Sequence, residues 1–253
     1  YVPGAPDTTL AEILMLGCSY TYGFGVHDEE CFTTLLQKEH PKLKFYNLGV
    51  IGHGTVQSSM QLRKWLDKRK PQAVILTFSS YHFMRNTLSP QYRSNLKIGY
   101  NRSSNTVDNQ MSTAQFPFLS SCNDTIQHAA WETIYQPWLG REWFASVNFL
   151  QTNYDLYKAD FANQIAVTAC LIEEMAELCE SKGISFGLAC LDAGPGTTQL
   201  KAKLADIPWI DVGFDFSNKT LINYPYDEHP NKNGHQLIAK HVQVLLQSLL
   251  FSD

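Results

Sequence analysis

Ala11-Glu12-Ile13-Leu14-Met15-Leu16-Gly17-Cys18-Ser19-Tyr20-Thr21-Tyr22-Gly23 is the stretch that decides the fold class. A short apolar run ending in glycine is what a strand of a parallel sheet looks like when both of its faces are buried. Outward from it, Asp28 to Lys38 places acidic residues first and then Phe32, Leu35 and Leu36 at helical spacing, which predicts a helix. Leu43 to Leu48 alternates as a second strand, closed by Gly49 and Gly52, and Thr55 to Lys68 follows as a helix with Met60, Leu62 and Trp65 inward. Ala73 to Phe78 is a third strand. Phe161 to Cys179 is the clearest helix, ended by Lys182-Gly183, and Ile184 to Leu191 is a fourth strand. Trp209 to Val212 makes a short fifth, and His235 to Phe251 closes the chain as an amphipathic helix. Strands alternating with helices imply an α/β fold: a mostly parallel, five-stranded sheet with helices on both faces. In such sheets ligands sit at the carboxyl ends of the strands. Gly17-Cys18-Ser19 and Gly49 to Gly52 both fall there.

Composition narrows the functional classes. The 253 residues suit one large α/β domain or two small ones, and 44% hydrophobic residues are enough for a substantial core. A formal charge of -4 and the lack of a Lys/Arg stripe give no case for nucleic acid. The densest basic stretch, Arg63 to Lys70, alternates with Trp65, Leu66 and Asp67 and reads as a solvated helix face. Cys18, Cys31, Cys122, Cys170, Cys179 and Cys190 form no CxxC and no regular framework, so free buried thiols and a reducing, cytoplasmic compartment are favoured. No run approaches the roughly 20 apolar residues of a membrane span. The chain begins at Tyr1, which leaves a removed N-terminal segment open.

The stretch 86–157 breaks the alternation. It is rich in Asn, Ser, Gln and Thr as far as residue 125 and then aromatic, with Trp131, Tyr135, Trp138, Trp143, Phe144 and Phe149. Within one domain spanning 1–253 it reads as an insertion, either a lid or cleft wall or a packing extension on one flank of the sheet.

Three residues have the makings of acyl-transfer chemistry. Ser19 follows a buried strand between glycines, in a turn that presents Oγ and backbone amides at a helix start. A serine alone proves nothing, since its hydroxyl becomes nucleophilic only when a base takes the proton, and a serine capping a helix is the commoner case. His229, near the other end of the chain, is a candidate base, with Asp227 two positions earlier to accept its Nδ1 proton. The spacing of Asp227, His229 and His235 matches no strong zinc pattern, and His235 reads as a helix-face residue with a packing or capping role. Gly49-Val50-Ile51-Gly52-His53-Gly54-Thr55 is a loop before a helix that can aim an amide at an oxyanion, or equally a turn that needs positive φ.

These residues resemble the motif blocks of the SGNH (GDSL-type) hydrolase superfamily, in order, along nearly the whole chain. The first block, Gly-Asp-Ser-x-Thr-x-Gly, is similar to Gly17-Cys18-Ser19-Tyr20-Thr21-Tyr22-Gly23, with Cys18 in place of Asp. The second, Asn-x-Gly-x-x-Gly, is similar to Asn47-Leu48-Gly49-Val50-Ile51-Gly52, and the last to Asp227-Glu228-His229-Pro230-Asn231. Two departures stand out. The third block, Gly-x-Asn-Asp, corresponds to Ser79-Ser80-Tyr81-His82, so Tyr81 stands where an oxyanion asparagine is expected; Tyr81, His82 or Asn86 are the residues near enough in sequence to compensate. The usual Asp-x-x-His is shortened to Asp-x-His.

The resemblance implies a flavodoxin-like three-layer α/β/α sandwich and a serine ester hydrolase without metal or cofactor. In it Ser19 is the nucleophile, His229 the base and Asp227 its orienting group. The oxyanion hole is made by the Ser19 and Gly52 amides, with Tyr81 at the third position. The expected substrate is a small-molecule or carbohydrate ester, such as an acetylated sugar. An O-acyltransferase using the same triad, and a binding module with impaired catalysis, are the alternatives.

Overall fold

A computed structural model describes residues 10–101 and 111–251; positions 1–9, and 102–110 of the polar stretch, lie outside the described residues. The chain forms two compact units, one made of Tyr1–Ser80 with Ile172–Asp253 and the other of Tyr81–Leu171. The insertion expected at 86–157 falls within the second.

The first unit is built on five parallel strands: β1 (Ala11–Gly17), β2 (Leu43–Gly49), β3 (Ala73–Phe78), β6 (Ser185–Cys190) and β7 (Trp209–Asp211), in the order β2-β1-β3-β6-β7. The order reverses at β1, so the crevice between the carboxyl ends of β1 and β3 is the topological switch point, where such sheets hold ligands. Every residue from Ile13 to Leu16 and from Ala73 to Leu76 is fully buried, which requires apolar cover on both faces. Ile13, Met15, Ala73 and Ile75 pack against Phe32 and Leu36 of α2 (Phe32–Glu39) and Ile238, Val242 and Leu245 of α9 (Lys232–Phe251). The alternate residues point to the opposite face; α3 (Thr55–Leu66) supplies buried Val56, Leu62 and Leu66 and packs along β1. The architecture is the expected three-layer α/β sandwich.

The strands lie where expected to within a residue. The helix expected over 28–38 is split: a 3-10 turn (Asp28–Glu30) stops at Cys31, whose extended backbone (φ -64°, ψ 136°) breaks it from α2. A helix that the sequence did not announce, α8 (Pro195–Lys203), starts behind Gly194-Pro195, where proline at the first turn is pre-set for helix.

The second unit contains α4 (Tyr81–Asn86), α5 (Pro90–Asn101), the antiparallel hairpin β4 (Gln115–Phe118) and β5 (Gln127–Ala130), α6 (Ala145–Lys158) and the first part of α7 (Phe161–Glu180). Its core gathers Leu88, Trp131, Ile134 and Tyr135, with Phe116 and Phe118 from the hairpin. It also corrects the cysteine reading: Cys122 and Cys170 are joined in a disulfide, and only Cys18, Cys31, Cys179 and Cys190 are free and buried. A pair 48 residues apart leaves no local spacing signal. Since disulfides persist in oxidising compartments, the leaning toward a reducing, cytoplasmic one loses its basis. No helix among the described residues is long and apolar enough to cross a membrane.

Candidate active site

β1 ends at Gly17, and the chain turns at once into the four-residue helix α1 (Ser19–Tyr22). Gly17 is required: its φ is +151°, and a Cβ there would lie 2.1 Å from Thr21 Oγ1 and 2.9 Å from the Thr77 carbonyl. Cys18 occupies the N-cap, so Ser19 is the first residue of the helix and not its cap. The capping alternative for this serine therefore falls away. Gly23, in the left-handed region at φ 89°, ends the helix. Asn47 binds the second block to the first. Its Nδ2 donates to the Thr21 carbonyl at 2.8 Å and to Thr33 Oγ1 at 3.1 Å, while its Oδ1 accepts the Gly49 amide at 3.0 Å.

The loop before α9 is held as firmly. The Asn223 amide donates to the His229 carbonyl, the Asn231 amide to that of Leu221, and Asn231 Nδ2 to those of Thr220 and Ile222. Asn231 Oδ1 accepts the amides of Asn233 and Gly234, capping α9.

These two anchored segments bring Ser19 Oγ to 3.0 Å from His229 Nε2. Behind the imidazole, Asp227 Oδ1 lies 3.3 Å from Nδ1 and also accepts the His229 backbone amide at 2.8 Å. In the tautomer with Nδ1–H toward the carboxylate, Nε2 is free to accept the serine proton. Ser19 is buried, whereas His229 and Asp227 are partly open to solvent. The imidazole is wedged between aromatic rings: Phe24 at 4.6 Å between centroids and Tyr20 edge-on at 5.3 Å. Neither ring is marked by a motif in the sequence, apart from the position of Phe24 between Gly23 and Gly25.

Gly52 sits in the β2–α3 loop at φ +81° with open space where a side chain would be. The neighbouring amide of Val50 donates to the Gly17 carbonyl, which ties that loop to the end of β1.

The third block is held to the neighbouring strand end. Ser80, just beyond β3, gives its amide to both carboxylate oxygens of Asp192 (2.9 and 3.2 Å) and its hydroxyl to one of them. Phe78 pairs with Cys190, so this contact continues the β3–β6 register by two residues through a side chain. The sequence did not reveal this role of Asp192. Tyr81 opens α4 in the second unit and is half-exposed, and Asn86 is buried there with its amide nitrogen on Thr168 Oγ1 at 2.9 Å. Asn86 thus serves that unit's own packing.

His235 takes the packing role expected of it. Fully buried, it stacks on Phe32 and accepts the Phe32 amide at Nδ1 (3.3 Å). Burial pushes its pKa down to about 4. The unfolded chain therefore binds a proton that the folded one refuses between about pH 6.5 and 4, and stability is lost as pH falls through that window. In urea unfolding at pH 7 and 4.5, wild type should lose about 2.5 kcal/mol more than a His235→Leu variant. Equal losses would show that His235 is protonated in the fold. Among the described residues no three His, Cys, Asp or Glu side chains are gathered as a metal-ligand set.

No protein-family model matches the chain, and no curated protein does. Among solved structures, a crystal structure of TesA is similar at 14% identity and a TM-score of 0.50, covering 95% of this chain and 100% of that one. So is the psychrotrophic esterase EstA from Pseudoalteromonas sp., in a structure inhibited by monoethylphosphonate, at 13% identity and a TM-score of 0.50, covering 94% of this chain and 98% of that one. What they share with this chain is the fold, an α/β sandwich, over nearly its full length.

Proposed function

We propose that the chain is a serine carboxylic-ester hydrolase. The observation that carries this reading is the 3.0 Å approach of Ser19 Oγ to His229 Nε2 with Asp227 behind Nδ1. Ser19 attacks the ester carbonyl carbon as His229 takes the hydroxyl proton, and the resulting oxyanion is stabilised by the Ser19 and Gly52 amides. Collapse breaks the ester bond, and the departing alcohol takes the proton from His229. Water, deprotonated by the same imidazole, then attacks the acyl-enzyme, and the carboxylic acid leaves with Ser19 restored. Asp227 keeps the imidazole in the accepting tautomer and stabilises the imidazolium. The nucleophile, base and orienting group all belong to the first unit, and residues 86–157 are read as an insertion into one hydrolase domain. The substrate is an ester of a small molecule or carbohydrate; that EstA, of like fold, is described as an esterase supports ester hydrolysis in general.

A fluorophosphonate probe tests the reading. Covalent label is expected on Ser19 of the folded protein, together with turnover of short p-nitrophenyl esters. Absence of both overturns it. A second reading has one observation in its favour: Tyr81 replaces the third-block asparagine, and the amide and hydroxyl of the adjacent Ser80 are taken by Asp192. It makes the protein a binding module with a weakened oxyanion hole, and predicts label on Ser19 without turnover.

A further inference from the structure

Helix α6 in the second unit is amphipathic in the inverted sense. Its buried residues are polar, Gln151 and Asp155. Gln151 accepts the Trp138 amide at 2.8 Å and donates to the Gln136 carbonyl at 3.2 Å. Asp155 accepts the Tyr135 hydroxyl at 2.6 Å and pairs with Arg141 at 3.7 Å, both side chains being more than nine-tenths buried. Burial and the bond to Asp155 raise the Tyr135 pKa to about 12, so the phenol stays a donor. The inner face is therefore fastened by hydrogen bonds and needs no apolar side chain.

The outer face holds the apolar ones. Phe149, Leu150, Tyr154, Leu156 and Tyr157 are between 46% and 84% exposed. At about 100° per residue they span an arc of about 160° centred opposite Gln151 and Asp155. Trp143 and Phe144, also exposed, immediately precede the helix. Ser146 and Asn153, exposed and uncharged, lie within the same arc; a surface carrying this many exposed large apolar side chains is rare on a monomer and marks a docking surface.

We propose that this face is the interface of a homodimer, in which α6 packs against α6 of a second copy across a two-fold axis. Area and charge both point to that occupant. Large apolar side chains bury roughly 150–250 Å² each, so the seven named, weighted by their exposure, offer about 900 Å². A stable interface takes about 800 Å² from each partner. The charged residues of α6 are Asp155, already paired inward, and Lys158 at its last position. A helix that docks on an anionic bilayer carries several Lys and Arg beside its apolar face, and a charged protein partner is matched by opposite charge. A face without charge, apolar apart from Ser146 and Asn153, is complementary to itself, as an isologous interface requires.

Sedimentation velocity and light scattering on the full chain test this, with Leu150→Glu/Tyr157→Glu as the variant. Both positions are solvent-facing, so the fold is expected to survive, checked by an unchanged melting curve and unchanged secondary-structure spectrum. Wild type should sediment at twice the 28.7 kDa chain mass, and the variant as a monomer with a dimer dissociation constant at least about a hundredfold higher, because the axis brings buried carboxylates together. A Phe149→Leu control, which keeps the face apolar, should remain dimeric. Monomeric wild type at tens of micromolar overturns the proposal, as does a dimer indifferent to the two glutamates. A monomer that co-sediments with phosphatidylcholine vesicles through the same residues also overturns it, in favour of a lipid surface.

Discussion

Ser19→Ala is expected to lower kcat/KM on p-nitrophenyl esters by about 10⁴- to 10⁶-fold, because without Oγ no acyl-enzyme forms and only binding and oxyanion stabilisation remain. The melting temperature should hardly move, since a small side chain at the first position of a four-residue helix is replaced by a better helix former. His229→Ala should cost about the same, and the double variant no more than either alone, since the two side chains act as one unit across the 3.0 Å contact. Initial rates with purified variants, corrected for folded fraction, check both statements. A Ser19→Ala enzyme retaining more than a hundredth of the activity would remove Ser19 from the mechanism.

Gly49→Ala is expected to lower both stability and activity. A Cβ on Gly49 would sit 2.3 Å from the Tyr22 amide nitrogen and 2.6 Å from the Thr21 carbonyl carbon. Both are backbone atoms of α1, so relief requires the helix carrying Ser19 to move. Overpacking of this kind costs about 1–3 kcal/mol, and a 1 Å misplacement of a reacting group costs about 10²-fold in rate. Both losses are expected in Gly49→Ala. Gly183→Ala is the control: its φ of +66° makes alanine strained, but nothing lies within 4 Å. It should lose about 1 kcal/mol with kcat/KM unchanged. If Gly49→Ala is destabilised to the same degree yet fully active, α1 is not held in place by that contact.

The parts of the fold legible in the sequence are those set by short-range patterning. Ile13–Leu16 and Ala73–Leu76 are apolar at every position because both faces are covered, and α9 shows its stripe because only one side is. The break at Cys31 was not legible: Asp28 to Lys38 carries a continuous helical pattern, yet the cysteine adopts an extended backbone and its thiol packs beside Thr21, Thr33 and Asn47. The Cys122–Cys170 bridge was equally hidden, since pairing depends on where the turns of the second unit bring two thiols. Phe149 belongs to an aromatic run in the sequence, but only the inward hydrogen bonds of Gln151 and Asp155 reveal which side of α6 it occupies.

The candidate site divides in the same way. Residue type and order along the chain make Ser19, Asp227 and His229 candidates, because a hydroxyl after a buried strand and a carboxylate beside an imidazole are local facts; Gly52 comes only from the resemblance of its loop to a family block. That Ser19 and His229 meet at 3.0 Å, that Phe24 and Tyr20 flank the imidazole, and that Asp192 takes the Ser80 amide and hydroxyl are decided by the tertiary structure alone. Each joins residues far apart in the chain. Sequence specifies which strands form, whereas the parallel order β2-β1-β3-β6-β7 determines which strand ends become neighbours.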